Sequence, residues 1–170
     1  GIDVRQTGSG STGARNVSRL LGAYGFLITS FLDGLKGVAA ALIGGAVPGS
    51  EWLVPAVIVA VVCGHIWPIQ LGFRGGKGIA PAIGALVVYD PLVLLFSATV
   101  SLLVLAALRN VTVAGLAMVT MIPVVALCLG RPLESQVLTS LIVVLILISH
   151  RKNIREEIAR FQKSHKERKS

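Results

Sequence analysis

Long apolar stretches almost free of charge constrain this chain more than any other feature. Six of them cover residues 22–47, 52–69, 79–89, 92–108, 111–129 and 137–149, separated by turn residues and charges. A helix rises about 1.5 Å per residue, so a hydrocarbon layer of about 30 Å takes about 20 residues, with about 17 as the lower limit. Four stretches meet that limit. The stretch 137–149 is short but extends toward Pro132, and 79–89 is expected as a half-helix buried among its neighbours. Open sheet edges are not viable in lipid, and the runs lack the alternation of a membrane β-barrel. The expected fold is therefore all-α, a polytopic membrane helix bundle of about six transmembrane helices.

The charges agree with this segmentation. Residues 1–150 carry 13 charged side chains (8 basic, 5 acidic), too few to cover a water-soluble globule, whereas residues 151–170 carry 11 (8 basic, 3 acidic). The organisation expected is a membrane-embedded domain over 1–150 and a basic cytoplasmic tail over 151–170. Five of the eight net positive charges belong to that tail. This argues for contact with anionic membrane lipid and not for nucleic acid. With the N-terminus inside, 14 of the 16 basic residues fall on the inner side, while the outer turns hold Glu51, Asp90, Glu134 and a single base, Arg131. Six passes with both ends inside thus satisfy the positive-inside rule. Cys63 and Cys128 lie within apolar runs and read as free buried thiols. No signal peptide precedes the first apolar run, and the chain starts at Gly1 without a methionine.

Polar residues in so apolar a chain need a reason, and four groups stand out. Residues 8–19 combine Gly8, Ser9, Gly10, Ser11, Thr12, Gly13, Arg15, Asn16 and Arg19. Glycines leave backbone N–H groups free for an anion, and arginine forks bind phosphate bidentately. The same composition also suits an ordinary entry loop. Asp33 and Lys36 lie three apart within the first apolar stretch and can pair on one helix face, either to steady the bundle or to touch substrate. Gly34 and Gly37 beside them permit close helix packing.

The third group is the most specific: Gly64-His65-Ile66-Trp67-Pro68, then Gly72-Phe73-Arg74-Gly75-Gly76-Lys77-Gly78. Glycines around a lysine just before a helix place amides and an ammonium where a phosphate would sit. Lys77 is followed by Gly78 and Ile79, so this is not the nucleotide loop G-x-x-x-x-G-K-[ST]. His65 reads either as a packing histidine or as a catalyst. In the fourth group, His150 and Asn153 share a helix face at the inner end of the last stretch; a basic stop-transfer flank explains Arg151 and Lys152 but not Asn153. Neither paired carboxylates nor a Ser/His/Asp set is visible, and no metal site or cofactor is expected. The convergent chemistry is anion binding beside lipid, for a phosphorylated molecule at the inner leaflet.

In these blocks the chain resembles the bacterial acyl-phosphate:glycerol-3-phosphate acyltransferases, the integral membrane PlsY family. The blocks are Gly8-Ser9-Gly10 with Gly13-Ala14, Asn16-Val17 and Arg19; Leu32-Asp33 with Lys36-Gly37; and 64–68 with 72–78. The resemblance covers nearly the whole chain. It implies seven helices with the N-terminus outside, so a helix preceding Gly1 is expected. It also implies a bacterial plasma (inner) membrane location with the active site facing the cytoplasm. The implied reaction moves a fatty acyl group from acyl phosphate to the 1-hydroxyl of glycerol 3-phosphate, with the acceptor's own phosphate taking up the hydroxyl proton. By matching position, Ser9, Arg19, Lys77, His150 and Asn153 would carry catalysis. Gly10, Asn16, Gly75, Gly76, Gly78 and Thr112 would bind substrate phosphate, and Asp33, Lys36 and His65 form a second tier.

The chain departs from the family pattern at Ser11 (usually asparagine), Arg15 (threonine), Gln70 (apolar or aromatic), Pro81 (threonine) and Ser149 (arginine). These departures leave open a paralogue with an altered acceptor. A transporter for a phosphorylated solute would show internal repeats and polar residues on both sides of the membrane. A non-catalytic scaffold would have lost Ser9, Arg19 and Lys77, all of which are present.

Overall fold

The computed structural model describes residues 3–49 and 51–167, with side chains through 162. Six α-helices follow one another: α1 (Ala14–Ala46), α2 (Leu53–Ile66), α3 (Ile79–Tyr89), α4 (Pro91–Leu108), α5 (Val111–Cys128) and α6 (Leu133–Glu167). Short 3₁₀ turns occur at Val4–Gln6 and Ile69–Leu71. No strand occurs among the described residues. Among the described residues, five stretches are long and apolar enough to cross a membrane: Ala14–Ala46, Leu53–Leu71, Pro91–Leu108, Val111–Cys128 and Leu133–Gln162. The sixth helix, α3, has 11 residues. The all-α membrane bundle expected from the apolar stretches is the observed fold, with α3 as the short helix.

Two ends differ from the apolar pattern. α1 begins at Ala14, not at 22, and its regular geometry breaks at Gly22 (φ 62, ψ −154). The apolar run thus starts at the break. The polar residues before it form their own two helical turns, and only glycine accepts that left-handed φ without strain. α6 does not stop at 149 but continues to Glu167. A helix satisfies its own backbone in lipid and in water alike, and the Arg, Lys and Glu of the tail are good helix formers. The change from membrane segment to basic tail therefore falls inside one helix; residues 168–170 of the tail lie outside the described residues.

Lipid offers no hydrophobic gain for helix association, so close approach through small residues matters most. The α1–α3 crossing is built that way. A methyl group on Gly37 would sit 1.9 Å from the Pro81 carbonyl oxygen, and one on Gly84 would sit 2.0 Å from that of Gly34. Around this crossing pack Ile58, Val62 and Ile66 of α2, Ala82 and Ala85 of α3, Met118 and Val119 of α5, and Leu138, Ile142 and Ile146 of α6. Large apolar side chains face outward, among them Leu42 and Ile43 of α1 and Leu95, Leu102 and Leu103 of α4. At the end of the bundle away from Lys77, Asp90 caps α4 by accepting from the Val93 amide (3.2 Å) and pairs with Arg131 at 2.8 Å.

The length of α3 positions the site. α3 and α4 meet at Asp90, with 11 and 18 residues. At 1.5 Å per residue, α3 starts about 10 Å short of the level that α4 reaches. The connection from α2 therefore descends into the bundle, and a recess remains above it. Irregular backbone at such depth is stable only where it is buried in protein and its polar groups are satisfied.

Candidate functional site

Both α1 and α3 start at this recess, and neither has a side-chain cap. The flanking residues are Gly13 for α1 and Gly78 (φ 85) for α3. The amides of Ala14 and Arg15, and those of Gly78, Ile79 and Ala80, find no acceptor among the described residues. α5 begins at the same end, but there Asn110 accepts from the Thr112 and Val113 amides at 3.0 and 3.3 Å. Uncapped N-termini carry partial positive charge and attract anions. Two such ends face one cavity of about 600 Å³.

The cavity has a polar and an apolar part. Ser9, Arg15, Arg19, Lys77, Thr112, His150 and Asn153 contribute polar groups, while Phe26, Phe31, Leu35 and Val38 of α1 and Ile83 of α3 form an apolar wall. The Thr112 hydroxyl is buried with no partner among the described residues, so it keeps a donor and acceptor for something in the cavity. α6 fixes the loop bearing Lys77. The Ser149 hydroxyl lies 2.9 Å from the Lys77 carbonyl and 2.7 Å from that of Ile146, and the Lys77 ammonium donates to the Asn153 side-chain carbonyl. His150 Nδ1 donates to the Ile146 carbonyl at 2.9 Å. In the neutral ring this leaves Nε2 without a proton, as an acceptor. Burial holds the Lys77 pKa below the usual lysine value; the nearby Arg15 charge lowers it further, Glu156 opposes, and Arg19 adds a smaller lowering.

All five residues expected to be catalytic, Ser9, Arg19, Lys77, His150 and Asn153, thus border one cavity. Asn16, Gly78 and Thr112 border it too, but the polar groups of four expected phosphate binders, Asn16 among them, are engaged otherwise. The Gly75 and Gly76 amides donate to the carbonyls of Ile66 (3.2 Å) and His65 (3.1 Å). Neither glycine lies on the cavity wall. What these two positions require is room: a methyl group on Gly75 would lie 2.0 Å from the His65 carbonyl oxygen, and one on Gly76 2.0 Å from His65 Nε2. The amide cradle is therefore narrower than the glycine run suggests and begins at Gly78. Gly10 donates its amide to the Thr7 carbonyl in a turn. The Asn16 side chain accepts from the Ser9 amide (2.9 Å) and donates to the carbonyls of Val4 (2.8 Å) and Thr7 (3.0 Å). Asn16 ties residues 4–9 onto α1, and its side-chain amide has no donor left for a phosphate.

The second-tier residues form a wall. Asp33 accepts from Lys36 at 2.8 Å and lies 3.5 Å from His65 Nδ1. Asp33 and His65 border the main cavity on one side and, on the other, a smaller one of about 240 Å³ that also meets Lys36 and Gln70. Lys36 is not on the main cavity.

With this geometry established, comparison with known proteins decides the lineage. The family description "Glycerol-3-phosphate acyltransferase" matches residues 1–160. The chain belongs to that family. It is 46% identical over 154 residues to glycerol-3-phosphate acyltransferase 1 of Desulfitobacterium hafniense, covering 91% of this chain and 76% of that protein. It is 37% identical over 155 residues to the glycerol-3-phosphate acyltransferase of Thermus thermophilus, covering 91% of this chain and 78% of that protein. The crystal structure of PlsY (YgiH), an integral membrane glycerol 3-phosphate acyltransferase in its glycerol 3-phosphate form, superposes with a TM-score of 0.88. That match has 36% identity and covers 94% of this chain and 80% of the other. The lysophosphatidic acid form gives 0.83 at 35% identity, covering 89% and 78%.

Several residues of this family member matter in ways the sequence reading did not assign. Ser11 donates to the Gly75 carbonyl and accepts from the Gly13 amide, both at 3.2 Å. Together with the Thr12 amide, which donates to the same Gly75 carbonyl at 3.3 Å, it joins the two glycine segments across the recess. Asn110 caps α5 and also donates to Glu157 of α6 at 2.9 Å. Ser11 and Ser149 are visible in the sequence as hydroxyls; their partners, more than 60 residues away, are not.

Proposed function

We propose that this chain transfers a fatty acyl group from acyl phosphate to the 1-hydroxyl of sn-glycerol 3-phosphate, giving lysophosphatidate and inorganic phosphate. The observation that carries this reading is the pair of uncapped helix N-termini facing one cavity, with Arg19 near the first and Lys77 beside the second. Both substrates carry a phosphate, so two anion sites beside an apolar wall match two phosphates and one fatty chain. In a recess of the bundle, fixed amides and cations hold charge at little reorganisation cost. Bringing the hydroxyl to the acyl carbon is itself a large part of the acceleration.

The hydroxyl oxygen attacks the acyl carbon, the bond from that carbon to the phosphate oxygen breaks, and the hydroxyl proton passes to the acceptor phosphate. The proton balance closes on inorganic phosphate after exchange. Lys77 and the start of α3 hold one phosphate; Arg19, Ser9 and the start of α1 hold the other. Thr112 and the unprotonated Nε2 of neutral His150 are placed to hydrogen-bond the glycerol hydroxyls. Asn153 has its side-chain oxygen on Lys77 and its NH₂ free to donate.

The site lies at the end of the bundle that carries Arg15, Arg19, Arg74, Lys77, Arg109 and the basic tail, whereas Glu51, Asp90 and Glu134 lie at the other. By the positive-inside rule the site faces the cytoplasm, and the membrane is the bacterial plasma membrane. The deciding assay supplies purified protein with radiolabelled glycerol 3-phosphate and either palmitoyl phosphate or palmitoyl-CoA. Lipid product with the phosphate donor alone is expected. Product with the thioester alone would overturn the donor assignment.

A further inference from the structure

Among the described residues, Arg15 is the one cation of the cavity that this mechanism has not used. It occupies the first turn of α1, borders the cavity, and has no carboxylate or carbonyl partner among the described residues. The start of α1 rests on the lysine loop: a methyl group on Gly13 would lie 3.6 Å from the Gly76 Cα and 3.9 Å from the Lys77 amide nitrogen. Arg15 shares the cavity with Lys77, and its charge acts on that ammonium more strongly than does the charge of Arg19. Arg19 follows one turn later on the same face, an arrangement of like charges that opposes itself unless an anion is present. Nearby carboxylates do not balance these cations. Asp33 is paired with Lys36, and Glu157 is engaged by Asn110 and Arg160. Glu156 alone acts on Lys77. Among the described residues, Arg15, Arg19 and Lys77 thus border one cavity whose lining carboxylate, Asp33, is already paired.

We propose that Arg15 is a phosphate-binding, specificity-determining residue that closes with Lys77 on one substrate phosphate while Arg19 and Ser9 hold the other. The inference rests on the acyltransferase reading and adds a third charge to a site that handles two phosphate dianions. A guanidinium grips a phosphate through two parallel N–H donors, which threonine cannot reproduce and lysine reproduces only in charge.

The test uses the full chain in detergent, with Arg15→Thr, Arg15→Lys and, as a control for loss of a surface charge, Arg155→Thr. Three quantities are measured: KM for palmitoyl phosphate, KM for glycerol 3-phosphate, and binding of inorganic phosphate by calorimetry. Arg15→Thr is expected to raise one KM and to weaken phosphate binding, each by about tenfold, as for loss of a charged hydrogen bond at a partly exposed position. The KM that moves identifies the substrate whose phosphate Arg15 holds. Arg15→Lys should recover part of the loss, and Arg155→Thr should match the parent. If both KM values and phosphate binding stay within twofold of the parent, Arg15 is an ordinary juxtamembrane arginine and the proposal fails. Should Arg15→Thr not fold, parent-like values for Arg15→Lys would overturn the bidentate grip. Calorimetry reads Arg15 without turnover, so a parent chain that binds phosphate but transfers no acyl group would sink the acyltransferase reading and leave this test standing.

Discussion

A single methyl group added at Gly75 should disable the site without touching any group that meets substrate. Its Cβ would lie 2.0 Å from the His65 carbonyl oxygen, 2.5 Å from Pro68 Cδ and 2.8 Å from the Ile66 carbonyl oxygen. Ordinary contacts of this kind begin at 3.4 Å, so the loop must retreat by about 1.4 Å from the end of α2. Neither His65 O nor Ile66 O is the tip of a flexible side chain, so the loop itself must move. That movement breaks the Gly75 amide's bond to Ile66 and strains the two bonds that the Gly75 carbonyl accepts from Thr12 and Ser11. At about 1 kcal/mol per hydrogen bond, the loop loses about 3 kcal/mol of anchoring. Lys77 follows two residues later, and misplacement of a binding group by about 1 Å costs about a hundredfold in rate. Gly75→Ala should therefore lower kcat/KM for acyl transfer to radiolabelled glycerol 3-phosphate by about a hundredfold. The protein should still purify as a folded helical bundle, because the clash falls on the backbone at the end of α2 and not on the core side chains of α2, α3, α5 and α6. Gly64→Ala is the matched control: a methyl group there meets nothing within 4 Å, and replacing a helical glycine stabilises by up to about 1 kcal/mol. Activity of Gly75→Ala within threefold of the parent would refute the idea that the buried carbonyls of α2 set the position of Lys77.

Three further outcomes are expected. Thr112→Val keeps the shape but removes a buried hydroxyl that has no partner among the described residues; thermal stability in detergent should hold or rise while kcat/KM falls about tenfold, the worth of one lost hydrogen bond to substrate. Phosphate binding requires the Lys77 ammonium, which is present below its pKa, so affinity should fall as pH rises through a value below that of ordinary lysine; in Lys77→Arg, inorganic phosphate titrations should lose this alkaline decline. Asp90→Ala removes both the α4 cap and the buried partner of Arg131. Because Arg131 is partly exposed, the cost is set at about 2 kcal/mol; the melting temperature should drop while KM for both substrates stays at the parent value.

Much of the site was legible in the chain because the chemistry is local. Lys77 announces itself by the glycines around it, and His150 and Asn153 by their spacing at the end of an apolar run. Asn16 shows the limit of that legibility. A lone amide amid glycines, hydroxyls and arginines reads as a phosphate ligand, yet all its donors go to backbone carbonyls of residues 4 and 7. Gly75 and Gly76 fail for the same reason. A glycine-rich run shows that backbones come close but not which partner they approach, and here it is the end of α2 and not a ligand.

Apolar length and charge placement by themselves determined the helical membrane bundle, its six segments and the short third one, because a hydrocarbon layer admits only a self-satisfied backbone of a given length. Which amides remain free could be decided only by the tertiary structure. The α2 carbonyls take Gly75 and Gly76, Asn110 takes the start of α5, and the starts of α1 and α3 are left open on one cavity. A hydrogen bond between distant segments leaves no mark at either sequence position, so the proposed anion sites arise only in the folded arrangement.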